Sequence, residues 1–465
     1  PGLRAAHRRR LRLALAAVSL LVRAALAVIA LAALPLAAQP VMDDSRLTAE
    51  PVLADFSLDL PTSMAFLGPD DILVLEKNTG DVRRLLGGVL QPNPVLHVDV
   101  ENDSERGLLG IAINREDPPG VFLYYTQASP LANRVYRYDW NAGSGQLENP
   151  QLVLDLPATP GPNHDGGVLV LGPPALGANE GLLGEGAPLF TVIGDLNRNG
   201  KLQNHPEGSS PDDTGAVFRV DQAGDPFPGN PFTPYCEGNE AQTCATDLEC
   251  GADGPCITEV GSYWAYGVRN SFGLALDPVT GGIWDTENGP GSFDEVNRLP
   301  PGTNSGWEQI MGPDRLDPQD PDDLWDMPGE GSTYSDPEFS WFDTNAPTGI
   351  LFPVGSSWGP DYDNVVLVSD NNRGQIYALP LDGPRTALDL AAFPSLTDLV
   401  ADSDAEADLL RVGSGFVAAT DLELGPDGHV YAVAIGLGNI YRIIGKIFED
   451  DFETGDTSAW DVVAQ

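Results

Sequence analysis

The stretch GPNHDGGVL, residues 161–169, puts His164, one of only five histidines, in a turn of Pro, Asn, Asp and Gly just ahead of an apolar run. An imidazole titrates near neutrality, so it can take the proton of a hydroxyl as a general base. Gly166 and Gly167 add the freedom for a flat ligand to approach the backbone, because neither carries a Cβ. By residue type alone, a turn or hydrogen-bonding role for His164 competes with this chemistry. A second stretch, GDLNRNGKLQNHPEG, sets Asp195, Asn197, Asn199 and Gly200 at positions one, three, five and six of an EF-hand loop. Pro206 takes the twelfth position, where the bidentate glutamate belongs, so the stretch reads as a loop and not a calcium hand. Trp264, Trp307 and Trp358 are large enough to stack on a sugar ring, although aromatics of this size more often pack a core.

The elements that must hold these residues are short strands. With 52 Gly and 41 Pro, turns recur throughout the chain, and no well-capped helical pattern follows residue 45. Six units repeat a strand, a Pro/Gly/Asp turn and a further strand; they begin at Thr62, Gly107, Gly166, Ser271, Gly349 and Thr420. Segments such as VYRYDW and IYALPL alternate with period two, so each buries one face. The expected fold is therefore all-β: a six-bladed β-propeller of four-stranded antiparallel blades, with a β-sandwich as the alternative.

Other segments bound the molecule. Residues 1–38 are arginine-rich and then apolar, with no acid, and predict a signal peptide cut after Ala38. An uncleaved anchor is the alternative, but the clean run from Ala24 to Ala38 is shorter than a membrane span needs. Residues 39–50 are expected to be a linker, 51–445 the propeller, and 446–465 an acidic tail. Without the six arginines of the leader, 19 basic residues face 68 acidic ones. That surface repels nucleic acid and anionic lipid and excludes both as partners, so the mature chain is expected without a membrane span, in the periplasm or secreted. Cys236, Cys244, Cys250 and Cys256 all fall within 235–260 and predict a surface insertion stapled by two disulfides, of three possible connectivities. Zinc is the weaker alternative, for want of a CxxC pair or a nearby histidine.

The motifs SERGLLGIA (104–112), NHDGG (163–167), VIGDLNRNG (192–200), YGVRNSFGLALDP (266–278) and TENGPGSFDEVNRLPPGTNSGW (286–307) resemble, in this order, those of the glucose/sorbosone dehydrogenase family. The resemblance spans roughly residues 51–445 and includes soluble sugar dehydrogenases that use pyrroloquinoline quinone (PQQ). It implies an exported PQQ- and Ca2+-dependent enzyme that oxidises an aldose sugar or related polyol and passes electrons to an unknown acceptor. His164 matches the family's catalytic base, and Arg269 and Asn270 match residues that contact the cofactor; the guanidinium suits developing oxyanion charge. Glu105 stands where some relatives carry glutamine beside the base, and Asn163 precedes that base. The Gly289–Pro290 pair matches backbone carbonyls that help hold calcium, while Asp294 and Glu295 either assist or close the loop onto its own amides. The basic residues that grip the cofactor carboxylates in relatives fall here at Asn372, Ala418 and Thr420, leaving Arg373 as the nearby cation. Two other readings follow from this departure: a cofactor-free propeller acting as an extracellular binding module, and a calcium-dependent lactonase-type hydrolase.

Overall fold

In each repeat unit the turn residues reverse the chain and a buried strand follows. Gly68 lies opposite Asp71, so Pro69 and Asp70 make the two-residue turn between the first two strands of the first unit. The computed structural model describes residues 39–172, 186–316, 324–329 and 332–446. The expected leader, and the acidic tail beyond residue 446, lie outside the described residues. The protein is all-β and strand-rich, with few helical turns. The six units supply the first strands of six sheets: β1 (Pro61–Gly68), β2 (Leu108–Ile113), β3 (Leu169–Leu171), β4 (Ser271–Leu276), β5 (Pro347–Leu351) and β6 (Ala419–Leu424). Each pairs antiparallel with the strand after it. β1 touches β2, β2 touches β3, and the contacts continue in order until β6 returns to β1.

Second strands, such as Val365–Asp370 and Leu189–Ile193, are buried along their whole length. They read as predominantly apolar runs because the neighbouring sheets cover both faces. Val366 and Val368 pack toward the preceding sheet with Trp284 and Phe339, while Val365 and Leu367 pack toward the following one with Ala432 and Tyr441. A period of two thus gives each sheet two dry faces.

Two features depart from or sharpen the sequence reading. The stretch expected as a linker holds two strands. Val41–Met42 joins Arg411–Ser414 in the fifth sheet, and Leu47–Pro51 is the outer strand of the sixth, with Leu47 opposite Gly445 and Pro51 opposite Tyr441. Five residues paired across nearly four hundred carry no local strand signal, yet Leu47 is fully buried. The cysteine-rich insertion folds as a small three-stranded sheet of Tyr235–Cys236, Asn239–Thr243 and Cys256–Ile257. Its disulfides are Cys236–Cys250 and Cys244–Cys256, and each closed loop is worth ~3 kcal/mol by chain entropy. Both bonds consume their thiols, so no free thiolate remains for zinc among the described residues.

Candidate active site

At one end of the cyclic array lies a cavity of about 530 Å3 lined from every one of the six units. Two kinds of loop build it. Connections from one sheet to the next supply Glu105, Asn163, His164, Arg269 and Asn270; turns between second and third strands supply Lys77, Asn288, Gly289 and Asn372. Thr62, Ser63 and Thr420 close the floor from the beginnings of β1 and β6. A second cavity of about 350 Å3, lined mainly by β3 to β6, shares Ser63, Val168, Phe272 and Asp421 with the first.

The loop carrying His164 is fixed from behind. Asp165 accepts a hydrogen bond from Asn133 Nδ2 (2.9 Å), its carbonyl accepts one from Tyr124 Oη (2.7 Å), and burial pushes its carboxyl up to about 6. Gly166 and Gly167 both have positive φ, and a Cβ on Gly166 would fall on the Val192 carbonyl, so the turn requires glycine here. His164 itself has φ of 67°, and its backbone N–H donates to Glu105 Oε2 at 2.5 Å. Its Nδ1 meets Asp195 Oδ1 at 2.5 Å. Asp195 also accepts from the backbone N–H of Asn197 (2.7 Å) and from Trp307 Nε1 (2.6 Å). A carboxylate on Nδ1 fixes the tautomer that leaves Nε2 free to accept a proton. Nε2 has no protein partner among the described residues.

Arg269 lies beside this pair. Its backbone N–H donates to Glu287 Oε1 (2.6 Å), its Nη1 donates to the Asn288 carbonyl (2.5 Å), and its guanidinium sits 5.2 Å from the centre of the Trp307 ring. Burial lowers the guanidinium pKa, opposed by Asp195, Glu287, Glu105 and Asp294, and arginine keeps its proton at any ordinary pH. Arg269 Nε and Asn270 Oδ1 are buried without a protein partner among the described residues. Such atoms are costly unless a ligand satisfies them.

The Gly289 loop is shaped by its acids. Asp294 Oδ1 accepts from the Gly289 N–H (2.8 Å) and Oδ2 from the Ala346 N–H (2.7 Å), while Glu295 Oε1 accepts from the Gly312 N–H (2.5 Å). Both acids therefore accept hydrogen bonds from backbone amides of this loop and its neighbours, and Asp294 also lines the cavity. Behind them Asp285, Glu287 and Glu295 are buried; desolvation raises all three carboxyl pKa values, and repulsion from neighbouring acids adds to the rise for Glu287 and Glu295.

Glu105, Asn163, His164, Arg269, Asn270 and Gly289 thus line one cavity, with Pro290 next in the chain but not among the lining residues. Arg373 departs from expectation. It does not line the cavity; its Nη2 bonds Asp408 (2.6 Å) and its Nη1 lies 3.3 Å from Asp404. The acidic segment DSDAEAD, 402–408, holds it by charge. Trp264 and Trp358 are core residues whose Nε1 atoms donate to main-chain carbonyls. The roles of three residues escape sequence reasoning. Asp195 and Trp307 reach His164 and Arg269 only through the fold, across 31 and 38 positions. Lys77 is different: it occupies the turn after a second strand, the place that Asn288 and Asn371 hold in later units, so comparing the repeats would have exposed it.

The sequence profile of the Glucose / Sorbosone dehydrogenase family matches residues 58–243 and 247–441. An uncharacterised protein of Synechocystis is 26% identical over 396 residues, covering 81% of each chain. Quinoprotein glucose dehydrogenase B of Acinetobacter calcoaceticus is 27% identical over 268 residues, 53% of this chain and 49% of that protein, so the match spans only about half of this relative. Among solved structures, an oxidoreductase (glucose dehydrogenase) of Thermus thermophilus superposes with a TM-score of 0.61 at 25% identity, covering 86% of this chain and 100% of the other. The PQQ-bound aldose sugar dehydrogenase of Streptomyces coelicolor gives a TM-score of 0.58 at 21% identity over 86% and 98%, a likeness of fold.

Proposed function

We propose, from the premise that the chain belongs to the glucose/sorbosone dehydrogenase family, that it is an exported PQQ- and Ca2+-dependent dehydrogenase of aldose sugars or related polyols. Its six sheets would then be the blades of a six-bladed propeller. The buried, unpartnered Arg269 Nε and Asn270 Oδ1 in the cavity wall support the fit of a ligand with hydrogen-bonding oxygens and donors there. PQQ, when bound, supplies the acceptor for the hydride and Ca2+ the polarising charge. The chain's own residues do the rest. His164 Nε2 takes the hydroxyl proton, Asp195 holds Nδ1 and stabilises the imidazolium, and Arg269 offers N–H donors where oxygen gains negative charge. Gly289 and Pro290 carbonyls would hold the ion, with Glu105 and Asn163 fixing the His164 turn at the cavity edge; Glu105 accepts the His164 N–H and Asn163 accepts from Ser104 Oγ.

The observation that carries this reading is the His164–Asp195 pair in a cavity shared with Arg269 and Asn270. It is tested by loading the purified protein with PQQ and Ca2+ and following reduction of an artificial dye with a panel of aldoses. Turnover that disappears in His164→Ala supports it. Absence of quinone binding at micromolar concentration favours the cofactor-free binding module, the reading that neutral Asn372, Ala418 and Thr420 support. Carboxylates that a hydrolytic metal centre would draw together are instead turned to amides and hydroxyls: Asp421 Oδ2 accepts from Ser63 Oγ and the Met64 N–H, as Asp294 does from Gly289 and Ala346.

A further inference from the structure

The fifth and sixth units line the cavity with Thr344, Ala346, Asn372, Thr420 and Ile435, all neutral, and with Asp421; they contribute no cation. An anionic ligand needs a cation somewhere, and among the described lining residues only Lys77 and Arg269 carry a permanent charge of that sign. Lys77 Nζ donates to the Ser104 carbonyl at 2.8 Å and to Asn78 Oδ1 at 3.3 Å, both uncharged acceptors, which occupies two of its three protons. It forms no ion pair among the described residues, although the chain holds 68 acids and cations such as Arg84 and Arg385 sit directly on carboxylates. Burial lowers the Lys77 pKa against the pull of Glu105, Asp165 and Asp103. A half-buried ammonium with a spare proton, facing a cavity and lacking a direct counter-ion, gains from an incoming anion both the charge-assisted bond and relief of its desolvation.

We infer that Lys77 is the cation that receives a carboxylate of the cavity ligand, taking over a task that the neutral residues at 372, 418 and 420 do not perform. The inference rests on the quinone reading above and names which residue of this chain binds the anionic end of that cofactor. Because one lysine replaces several cations, affinity for the tricarboxylate depends on it heavily.

The test compares binding of PQQ with that of its trimethyl ester, in the presence of CaCl2, by quenching of tryptophan fluorescence and by calorimetry. The wild type is expected to prefer the acid. Lys77→Met should weaken PQQ binding about tenfold or more, the size expected for one charge-assisted bond, and leave the ester within about threefold. Lys77→Arg should restore preference for the acid. Should Lys77→Met fail to fold, Lys77→Gln keeps a donor for the Ser104 carbonyl and should show the same selective loss. Equal affinity of wild type and Lys77→Gln for PQQ, or equal loss of acid and ester, overturns the role of Lys77 while leaving the quinone reading intact. A wild type that binds neither compound overturns both.

Discussion

Asp195 shows how much one carboxylate decides. Its two oxygens hold an imidazole and an indole at 2.5 and 2.6 Å, and its backbone N–H bonds the Arg269 carbonyl at 2.9 Å, so it ties the proposed base to the proposed oxyanion donor. Asp195→Asn keeps the shape but presents an amide to Nδ1, and dye-linked turnover is expected to fall roughly 10²- to 10⁴-fold, with the near-ultraviolet spectrum unchanged. Trp307→Phe removes one donor and keeps a ring under the guanidinium; the expected loss in kcat/KM is about tenfold or less. That His164, Arg269 and Asn270 share one cavity was legible through the motifs that resemble the family's, since residue type alone left a turn role for His164 open. Asp195 was not, since its sequence neighbours mimic the first half of a calcium loop and its partner lies in another sheet connection.

The elements were legible wherever turn residues bracket an alternating or unbroken apolar run, which is why all six first strands begin within three residues of the unit starts read from the sequence. Where pairing is long-range and the strand short, as at Leu47–Pro51, only tertiary contacts decide. Replacing Leu47 by Asp should therefore lower stability by about 3 kcal/mol or more, read as a shift in the denaturation midpoint without a change of slope, because it buries a charge where 4% exposure leaves no room for water. Gly166→Ala tests the loop that carries the base: positive φ and a carbonyl in the path of the new Cβ predict a loss of ~1–3 kcal/mol.

For the whole molecule, the acids set the pH response. Asp285, Glu287 and Glu295 titrate higher in the folded than in the unfolded chain; for Glu295, pushed up to about 8, the folded state holds an extra proton between about 4.5 and about 8. The contribution of Glu295 to stability is then fully present below that window and is lost as pH rises through it. Glu295→Gln, which keeps an oxygen for the Gly312 N–H, should flatten the decline by up to ~1.4 kcal/mol per pH unit in equilibrium unfolding followed from pH 5 to 8. Such a response reflects acids placed partly inside the protein, which composition reveals only as a total of 68.

The seam of the sixth sheet has a consequence for synthesis. Leu47–Pro51 emerges early, but its mate, Asn439–Gly445, is made only after nearly four hundred further residues. Until then the nascent polypeptide holds an unmated edge and cannot complete its circle, so a late truncation near residue 438 should leave the entire array open rather than merely one sheet short.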